Sequence, residues 1–145
     1  MYTGLRHLHS ANRYIILILL VLVVFSSLNK WLKKKEYTSA DNRLNLFAFI
    51  SSHIQLLTGL ILYPMSDWVD FGNLGNKYYR FFAVEHLIGM LIAIALITIG
   101  RIKMKKLSVP YKKHKVTFVY YFIALILILA SIPWPFRNVG INNWF

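Results

Sequence analysis

The chain contains four long apolar runs separated by short polar segments. Within each run the hydrophobic residues are continuous and do not alternate with polar ones, and about 20 such residues cross the hydrocarbon core of a bilayer as a helix. The last run ends at Pro133 and Pro135, where a helix cannot continue. The pattern predicts membrane-spanning helices at about residues 9–28, 44–63, 81–100 and 116–132.

The arrangement of these runs predicts the fold class. Short connections make consecutive helices antiparallel neighbours, so the simplest architecture is an all-α, integral membrane, up-down four-helix bundle. A chain of 145 residues has the length of one domain, so residues 1–145 form a single four-helix unit. The hydrophobic fraction of 57% is typical of an integral membrane protein.

The positive charges predict the orientation of the bundle. Twelve of the seventeen Lys and Arg residues lie in the first and third connections. The positive-inside rule makes these two connections cytoplasmic, so both termini face outside. Because lysines at this position meet lipid headgroups, the net charge of +12 predicts membrane lipid as the partner and no nucleic acid. The twelve are Lys30, Lys33, Lys34, Lys35, Arg43, Arg101, Lys103, Lys105, Lys106, Lys112, Lys113 and Lys115.

The chain has no cysteine, which limits its possible chemistry. Disulfides, thiolate metal sites, iron–sulfur clusters, covalently attached haem and cysteine nucleophiles are all excluded. No pairing of a nucleophile with a base is visible either, so the sequence predicts at most an electron-transfer component and no hydrolytic enzyme. Any chemistry depends on His, carboxylates, Tyr or a bound cofactor.

The third run begins with Glu85 and His86, two ionisable groups at the edge of an apolar segment. Such groups are costly in hydrocarbon and therefore indicate function. His86 shares a helical face with Gly89 and two more small residues, Ala93 and Gly100. This face admits either a flat cofactor or, in the alternative interpretation, a closely packed neighbouring helix.

Three histidines are predicted in the outer half of the bundle. At about 1.5 Å of rise per residue, His9 lies near the outer surface, His86 about 8 to 9 Å below it and His53 about 15 Å below it. Neutral imidazole is the usual axial ligand of haem iron and a common ligand of other transition metals. The spacing leaves open whether His53 or His9 pairs with His86. His114, among lysines, is predicted to lie at the cytoplasmic surface.

Two further polar residues in the spans need partners. Arg13 is one turn below His9 and at the predicted depth of Glu85, so an ion pair between them would neutralise both charges. Alternatively, Arg13 or Arg80 contacts a haem propionate or an anionic quinol-like ligand while Glu85 carries protons. Gln55 belongs to a polar face of the second span, which we expect to be hydrogen-bonded inside the bundle.

The motifs resemble those of one protein family. The segments GLRHLHSANRY, DNRLNLFAFISSHIQLLTGLILY, RFFAVEHLIGMLIAIALITIGR and KHK are similar to a family of small bacterial four-helix membrane proteins labelled cytochrome-b-like. The resemblance covers nearly the whole chain and implies haem b, electron transfer and the bacterial inner membrane. Paired histidines at both membrane faces are missing, so we expect one haem at most. The motif positions are His9, Arg13, His53, Gln55, Glu85, His86 and His114.

Three functions compete at this point. The first is a haem-b protein that passes electrons from a quinol to an outer-side acceptor. The second is an accessory or assembly subunit of a larger membrane complex, without a cofactor of its own. The third is transport of a metal ion along a column of His9, His53 and His86.

Overall fold

The computed structural model describes residues 1–134 and 136. This part of the chain is helical without strands, and four helices are long and apolar enough to cross a membrane. The predicted all-α class, with four helices long and apolar enough to span a membrane, is therefore confirmed. Pro135 and the C-terminal tail, for which an outer location is predicted, lie outside the described residues. The four helices are α1 (Tyr2–Leu32), α2 (Ser39–Leu62), α3 (Lys77–Lys105) and α4 (Pro110–Ser131).

The helix α3 consists of three consecutive parts. It begins as a short α-helix, Lys77–Arg80, continues as a π-helical turn, Phe81–Glu85, and then runs as a regular α-helix over His86–Lys105. A π-helical turn contains more residues per turn than an α-helix and is frequent at functional sites. The connection from α2 to α3 includes two short 3₁₀ helices, Tyr63–Met65 and Phe71–Asn73.

The start of α2 shows a capping box. The Thr38 side chain accepts a hydrogen bond from the Asp41 N–H, and the Asp41 carboxylate accepts one from the Thr38 N–H at 2.9 Å. This reciprocal pair satisfies backbone donors that have no partner within the helix. The Asp41 carboxylate also accepts from Lys30 at the end of α1. The helix therefore begins at Ser39, five residues before the apolar run that starts at Leu44.

The helices form an up-down bundle. Each helix packs against the next along the chain, and α4 packs back against α1. His9 near the start of α1 contacts Thr58 near the end of α2, and His86 near the start of α3 contacts Ser131 at the end of α4. Consecutive helices are therefore antiparallel, with the starts of α1 and α3 at one end of the bundle. That end is called the histidine end below, and the opposite one the lysine-rich end.

Small residues allow the helices to approach closely in the core. Ala48, Ala93 and Ala124 are fully buried. A Cβ atom at Gly89 would overlap the Ser131 hydroxyl, and one at Gly100 would lie 2.5 Å from the Tyr120 Cβ. The small residues of α3 therefore pack against α4, as the helix-packing interpretation predicts, and Gly89 faces Ser131 and not a cofactor surface.

The outer surface of the bundle is strongly apolar. Large hydrophobic side chains on all four helices point outward and are about half exposed. A soluble protein does not expose an apolar surface of this extent, whereas lipid chains would cover it. Examples are Ile15, Ile18, Leu22, Phe25, Phe47, Leu57, Ile88, Ile92, Ile123 and Ile126.

At the lysine-rich end two basic residues are buried. His114 is 1% exposed, its Nε2 donates to the Glu36 carbonyl at 3.2 Å, and its ring packs on Tyr37. The predicted surface position of His114 is wrong because its helical face also carries Thr117 and Tyr121 and points into the bundle. Arg101, counted among the loop charges above, is 6% exposed and donates to the Asn45 amide oxygen.

Substituting Gly100 tests the close contact of α3 with α4. Gly100→Ala should lower the stability by about 1–3 kcal/mol, because the added methyl group forces the Tyr120 backbone region to move. Thermal unfolding in detergent measures the loss. Gly4→Ala is the matched control, since no atom lies within 4 Å of its Cβ position. Equal melting temperatures for both variants would contradict the packing.

Candidate functional site

A cavity of about 230 Å³ lies at the histidine end, between all four helices. Most of its wall is apolar, with Leu56, Leu60, Met90, Ile94 and Ile128 among the contributors. Sites for small molecules and cofactors usually combine such a wall with a few convergent polar groups. The polar residues that line it include Arg6, His9, Ser10, Arg13, Ser52, Gln55, Tyr63 and His86.

His9 enters the cavity from α1 with one ring nitrogen anchored. Its Nδ1 lies 3.1 Å from the Thr58 hydroxyl oxygen. Because that hydroxyl donates its own proton to backbone carbonyls one turn back on α2, it accepts from His9. The partner thus assigns the proton to Nδ1, which leaves the Nε2 lone pair unprotonated in the neutral ring. Gly59 makes this possible, since a Cβ there would lie 3.1 Å from the His9 Cε1.

His86 enters the same cavity from α3 and is anchored in the same way. Its Nδ1 donates to the Ser131 carbonyl at 2.7 Å, so Nε2 again carries the lone pair. The rings of His9 and His86 have centroids 6.5 Å apart and planes inclined at 66°. In the part of the chain that the structure describes, both rings hydrogen-bond through Nδ1 alone. Two imidazole nitrogens with ligating capacity therefore meet in one cavity.

The π-helical turn directly precedes His86 and is tied to α2. The Tyr63 hydroxyl, at the end of α2, donates to the Ala83 carbonyl at 2.5 Å. Ala83 is in the middle of the turn and is buried. Because each extra residue in a helix rotates all later side chains by about 100°, the turn sets the direction in which His86 points. The sequence carries no visible signal for this turn.

The same turn explains why Glu85 does not pair with Arg13. In a π-helix the residues i and i+5 lie on one side, and Glu85 accepts a hydrogen bond from Arg80, five residues earlier, at 3.0 Å. Both side chains are about half exposed. The predicted ion pair is therefore wrong. Arg13 lines the cavity and its guanidinium lies over the Tyr14 ring.

Gln55 links α1 to α2 beside the histidines. Its amide nitrogen donates to the His9 carbonyl at 2.9 Å, and its amide oxygen accepts from Asn12 at 2.9 Å. Asn12 also donates to the Ser51 carbonyl. The prediction of a hydrogen-bonded polar face inside the bundle is confirmed at this residue. Asn12 was not singled out from the sequence, although it lies three residues after His9 on the same face.

His53 does not reach the cavity. Its Nδ1 donates to the Phe49 carbonyl at 2.8 Å, its Nε2 lies 3.3 Å from the Thr98 hydroxyl, and its ring packs on Phe49. Thr98 is twelve residues beyond His86, which corresponds to about 18 Å along α3. Side chains lean toward the start of their helix, so the ring points away from the histidine end. Of the two predicted pairs, only His9 with His86 is brought together.

Metal ligation by side chains alone has no support in residues 1–134 and 136. No group of three or more His, Cys, Asp or Glu side chains there is arranged to hold a metal ion. A closed zinc site needs four protein ligands, and a catalytic one needs three. A continuous column of His9, His53 and His86 is also missing, because His53 is bound elsewhere.

Comparisons with known proteins identify no relative of this chain. The chain matches no protein family, no curated protein and no solved structure. The functional argument therefore depends on the cavity and its side chains.

Removing the Tyr63 hydroxyl tests its role at the π-helical turn. Tyr63→Phe leaves the buried Ala83 carbonyl without this donor and should lower the stability by about 1–3 kcal/mol. Thermal unfolding of the purified protein gives the value. Tyr111→Phe, at an exposed tyrosine, should leave the melting temperature unchanged. A Tyr63→Phe protein as stable as the parent would argue against the contact.

Proposed function

We propose that this chain is a membrane-embedded haem-b protein that carries electrons from a quinol-type donor to an acceptor on the outer side. The observation that carries the proposal is the pair His9 and His86, two imidazoles on different helices with Nδ1 anchored and Nε2 left to ligate. In a haem protein with two histidine ligands, the polypeptide supplies only those two imidazoles to the iron. Two imidazoles are therefore enough to hold a haem, whereas a metal ion without a macrocycle would need at least three protein ligands.

The two rings lie close enough for both to contact one ligand. The centroids of His9 and His86 are separated by 6.5 Å, and their planes are inclined at 66°. These two side chains are therefore the residues that would hold the haem iron.

The hydrogen bonds to Nδ1 serve as orienting contacts. Ligating histidines almost always donate their second N–H to a carbonyl, carboxylate or water, which fixes the tautomer and raises the basicity of the ligating nitrogen. The Ser131 carbonyl does this for His86, and the Thr58 hydroxyl does it for His9.

The arginines of the cavity suit a ligand with carboxylates. Arg6 and Arg13 line the same cavity as His9. A guanidinium binds a carboxylate through two parallel hydrogen bonds, the geometry that a haem propionate offers.

The volume of the cavity means that side chains in its wall would have to move before a haem could bind. At about 230 Å³ it is smaller than the roughly 300–1,000 Å³ that is common for cofactor sites. Flexible side chains in the wall, Leu56, Leu87 and Met90, would have to change rotamer to admit a macrocycle. The apolar wall excludes water and gives the low dielectric that helps to set a reduction potential.

When bound, the haem would supply reversible one-electron chemistry. The chain would hold it through His9 and His86, orient the rings through Thr58 and Ser131, and neutralise its carboxylates with Arg6 and Arg13. Quinol is the proposed donor because a cavity between membrane-spanning helices is reached most directly by a lipid-soluble carrier. The bacterial inner membrane, which the sequence resemblance implies, is part of the proposal.

A cofactor-free accessory subunit is the second candidate. The connection between α2 and α3 carries an aromatic cluster in which Trp68 packs on Tyr78 at 4.5 Å and on Phe82 at 6.2 Å. Phe71 in the same connection is 63% exposed. Aromatic residues at the level of the headgroups anchor a helix bundle or meet a partner.

Absorption spectra distinguish these two functions. Protein purified after haem-replete expression should show a Soret band and the low-spin spectrum of a bis-histidine haem. His9→Leu or His86→Leu should abolish that low-spin spectrum, since each removes one ligand. His53→Leu is the matched control and should retain the spectrum, because both nitrogens of His53 are used elsewhere. Colourless parent protein, or a spectrum lost only with His53, would reject the proposal.

The proposed orientation can be tested with single cysteines, since the chain has none of its own. Gly75→Cys lies in the exposed connection at the histidine end, and Lys35→Cys lies in that at the lysine-rich end. A membrane-impermeant maleimide should label Gly75→Cys in intact cells and Lys35→Cys only after permeabilisation. The reverse pattern would place the histidine end in the cytoplasm.

A further inference from the structure

A second, much smaller cavity of about 10 Å³ lies at the lysine-rich end. Its wall combines residues of α1, α2 and α4 with Tyr37 from the connection between α1 and α2. The polar side chains in the wall include Asp41, Asn45 and Thr117. A volume of about 10–15 Å³ holds one water molecule, provided that two to four polar groups bind it. Nothing larger fits.

Three buried polar atoms of this wall have no hydrogen-bond partner among residues 1–134 and 136: the Tyr37 hydroxyl, the Asn45 amide nitrogen and the Thr117 hydroxyl. Asn45 is 1% exposed and Thr117 is 2% exposed. Leaving such a group unpaired costs about 1–3 kcal/mol, and native proteins contain few of them. Three of them around one cavity indicate a shared partner.

The conformation of Thr117 supports the same conclusion. Buried Ser and Thr side chains in helices usually donate to the carbonyl one turn earlier. Ser52, Thr58 and Thr98 all do so in this bundle. Thr117 lines the cavity, and its hydroxyl makes no such bond within residues 1–134 and 136. Its proton is therefore available to another acceptor.

The donors and acceptors also match a water molecule. The Asn45 amide nitrogen can only donate, whereas the two hydroxyls can donate or accept. Burial raises the pKa of Tyr37 to about 12, so its hydroxyl keeps its proton at neutral pH. The Asp41 carboxylate, which lines the cavity, disfavours an anion and already binds Lys30.

We infer that this cavity is a binding site for one structural water molecule, held by the Tyr37 hydroxyl, the Asn45 amide nitrogen and the Thr117 hydroxyl. The water joins α2, α4 and the connection between α1 and α2. The inference does not depend on haem, because the site is at the opposite end of the bundle.

The water also completes a larger polar network. The Asn45 amide oxygen accepts hydrogen bonds from Arg101 and from the Tyr121 hydroxyl, while its amide nitrogen faces the small cavity. With the water in place, the amide is hydrogen-bonded at both ends and its rotamer is fixed. A fixed amide oxygen stabilises the buried guanidinium of Arg101, whose other described contact is the Phe49 ring.

A double-mutant cycle tests the site. Tyr37→Phe and Thr117→Val each remove one hydroxyl, and Phe retains the ring that packs on His114. If the water is bound, each variant lowers the melting temperature by about 3–8 °C, and the double variant loses clearly less than the sum. If it is not, each change removes an unpaired hydroxyl, and the melting temperature stays constant or rises. That outcome, or strict additivity, overturns the inference.

The matched control uses Ser52, whose buried hydroxyl bonds within its own helix. Ser52→Ala lies about 20 Å along α2 from Tyr37, so its effect should add to that of Tyr37→Phe without coupling.

An electron-density or cryo-EM map that resolves ordered water tests directly whether the water molecule is bound. Density within about 3.2 Å of the three atoms supports the site, and direct hydrogen bonds among them overturn it.

Discussion

Hydrogen bonds between helices are the constraint on which this bundle depends. Bulk water is absent from a hydrocarbon core, so a buried polar side chain there needs a partner on another helix, within its own backbone or in a bound water molecule. His9 bonds to Thr58, His86 to Ser131, Asn12 to Gln55 and Arg101 to Asn45. Each of these bonds joins two helices, and together they fix the register of α1 against α2, of α3 against α4 and of α2 against α3. Apolar contacts alone would allow the helices to slide, because lipid chains compete equally well for them.

The same constraint explains why most buried polar residues collect toward the two ends of the bundle, while His53 and Thr98 contact each other between them. The central layer contains Leu20, Ala93, Ile97 and Ala124, all completely buried. The histidine end has a cavity that extends between the helices, whereas the lysine-rich end closes around Asn45 with space for one small molecule. The larger cavity and the hydrogen-bonded junction around Asn45 are thus separated by about two turns of α2, because Ser52 lines the first and Asn45 the second. Changes at one end need not disturb the other.

The sequence predicts the four spans because each apolar run has membrane length, and it predicts the polar face of Gln55 because that face follows the helical period. It does not predict three features. The π-helical turn changes the period before His86, so Glu85 meets Arg80 and not Arg13. The ring of His53 leans toward the start of its helix, which depth counted from Cα positions ignores. His114 lies on a buried helical face. Because His114 and Thr117 on this face are polar, the hydrophobic periodicity of the helix does not identify the face as buried. In each case the side-chain direction, and not the position along the chain, decides the contact.

His53 provides an internal comparison for the two histidines of the cavity. An imidazole with a purely structural role in a membrane bundle has close polar neighbours at both nitrogens, and in His53 these are the Phe49 carbonyl and the Thr98 hydroxyl. His9 and His86 are each anchored at Nδ1, and both line the same cavity with their ring centroids 6.5 Å apart. Packing alone does not require two such rings at one place, on two helices, with the same tautomer. Because the two imidazole rings are oriented before a ligand arrives, binding costs less conformational entropy, and this is an advantage for a ligand site.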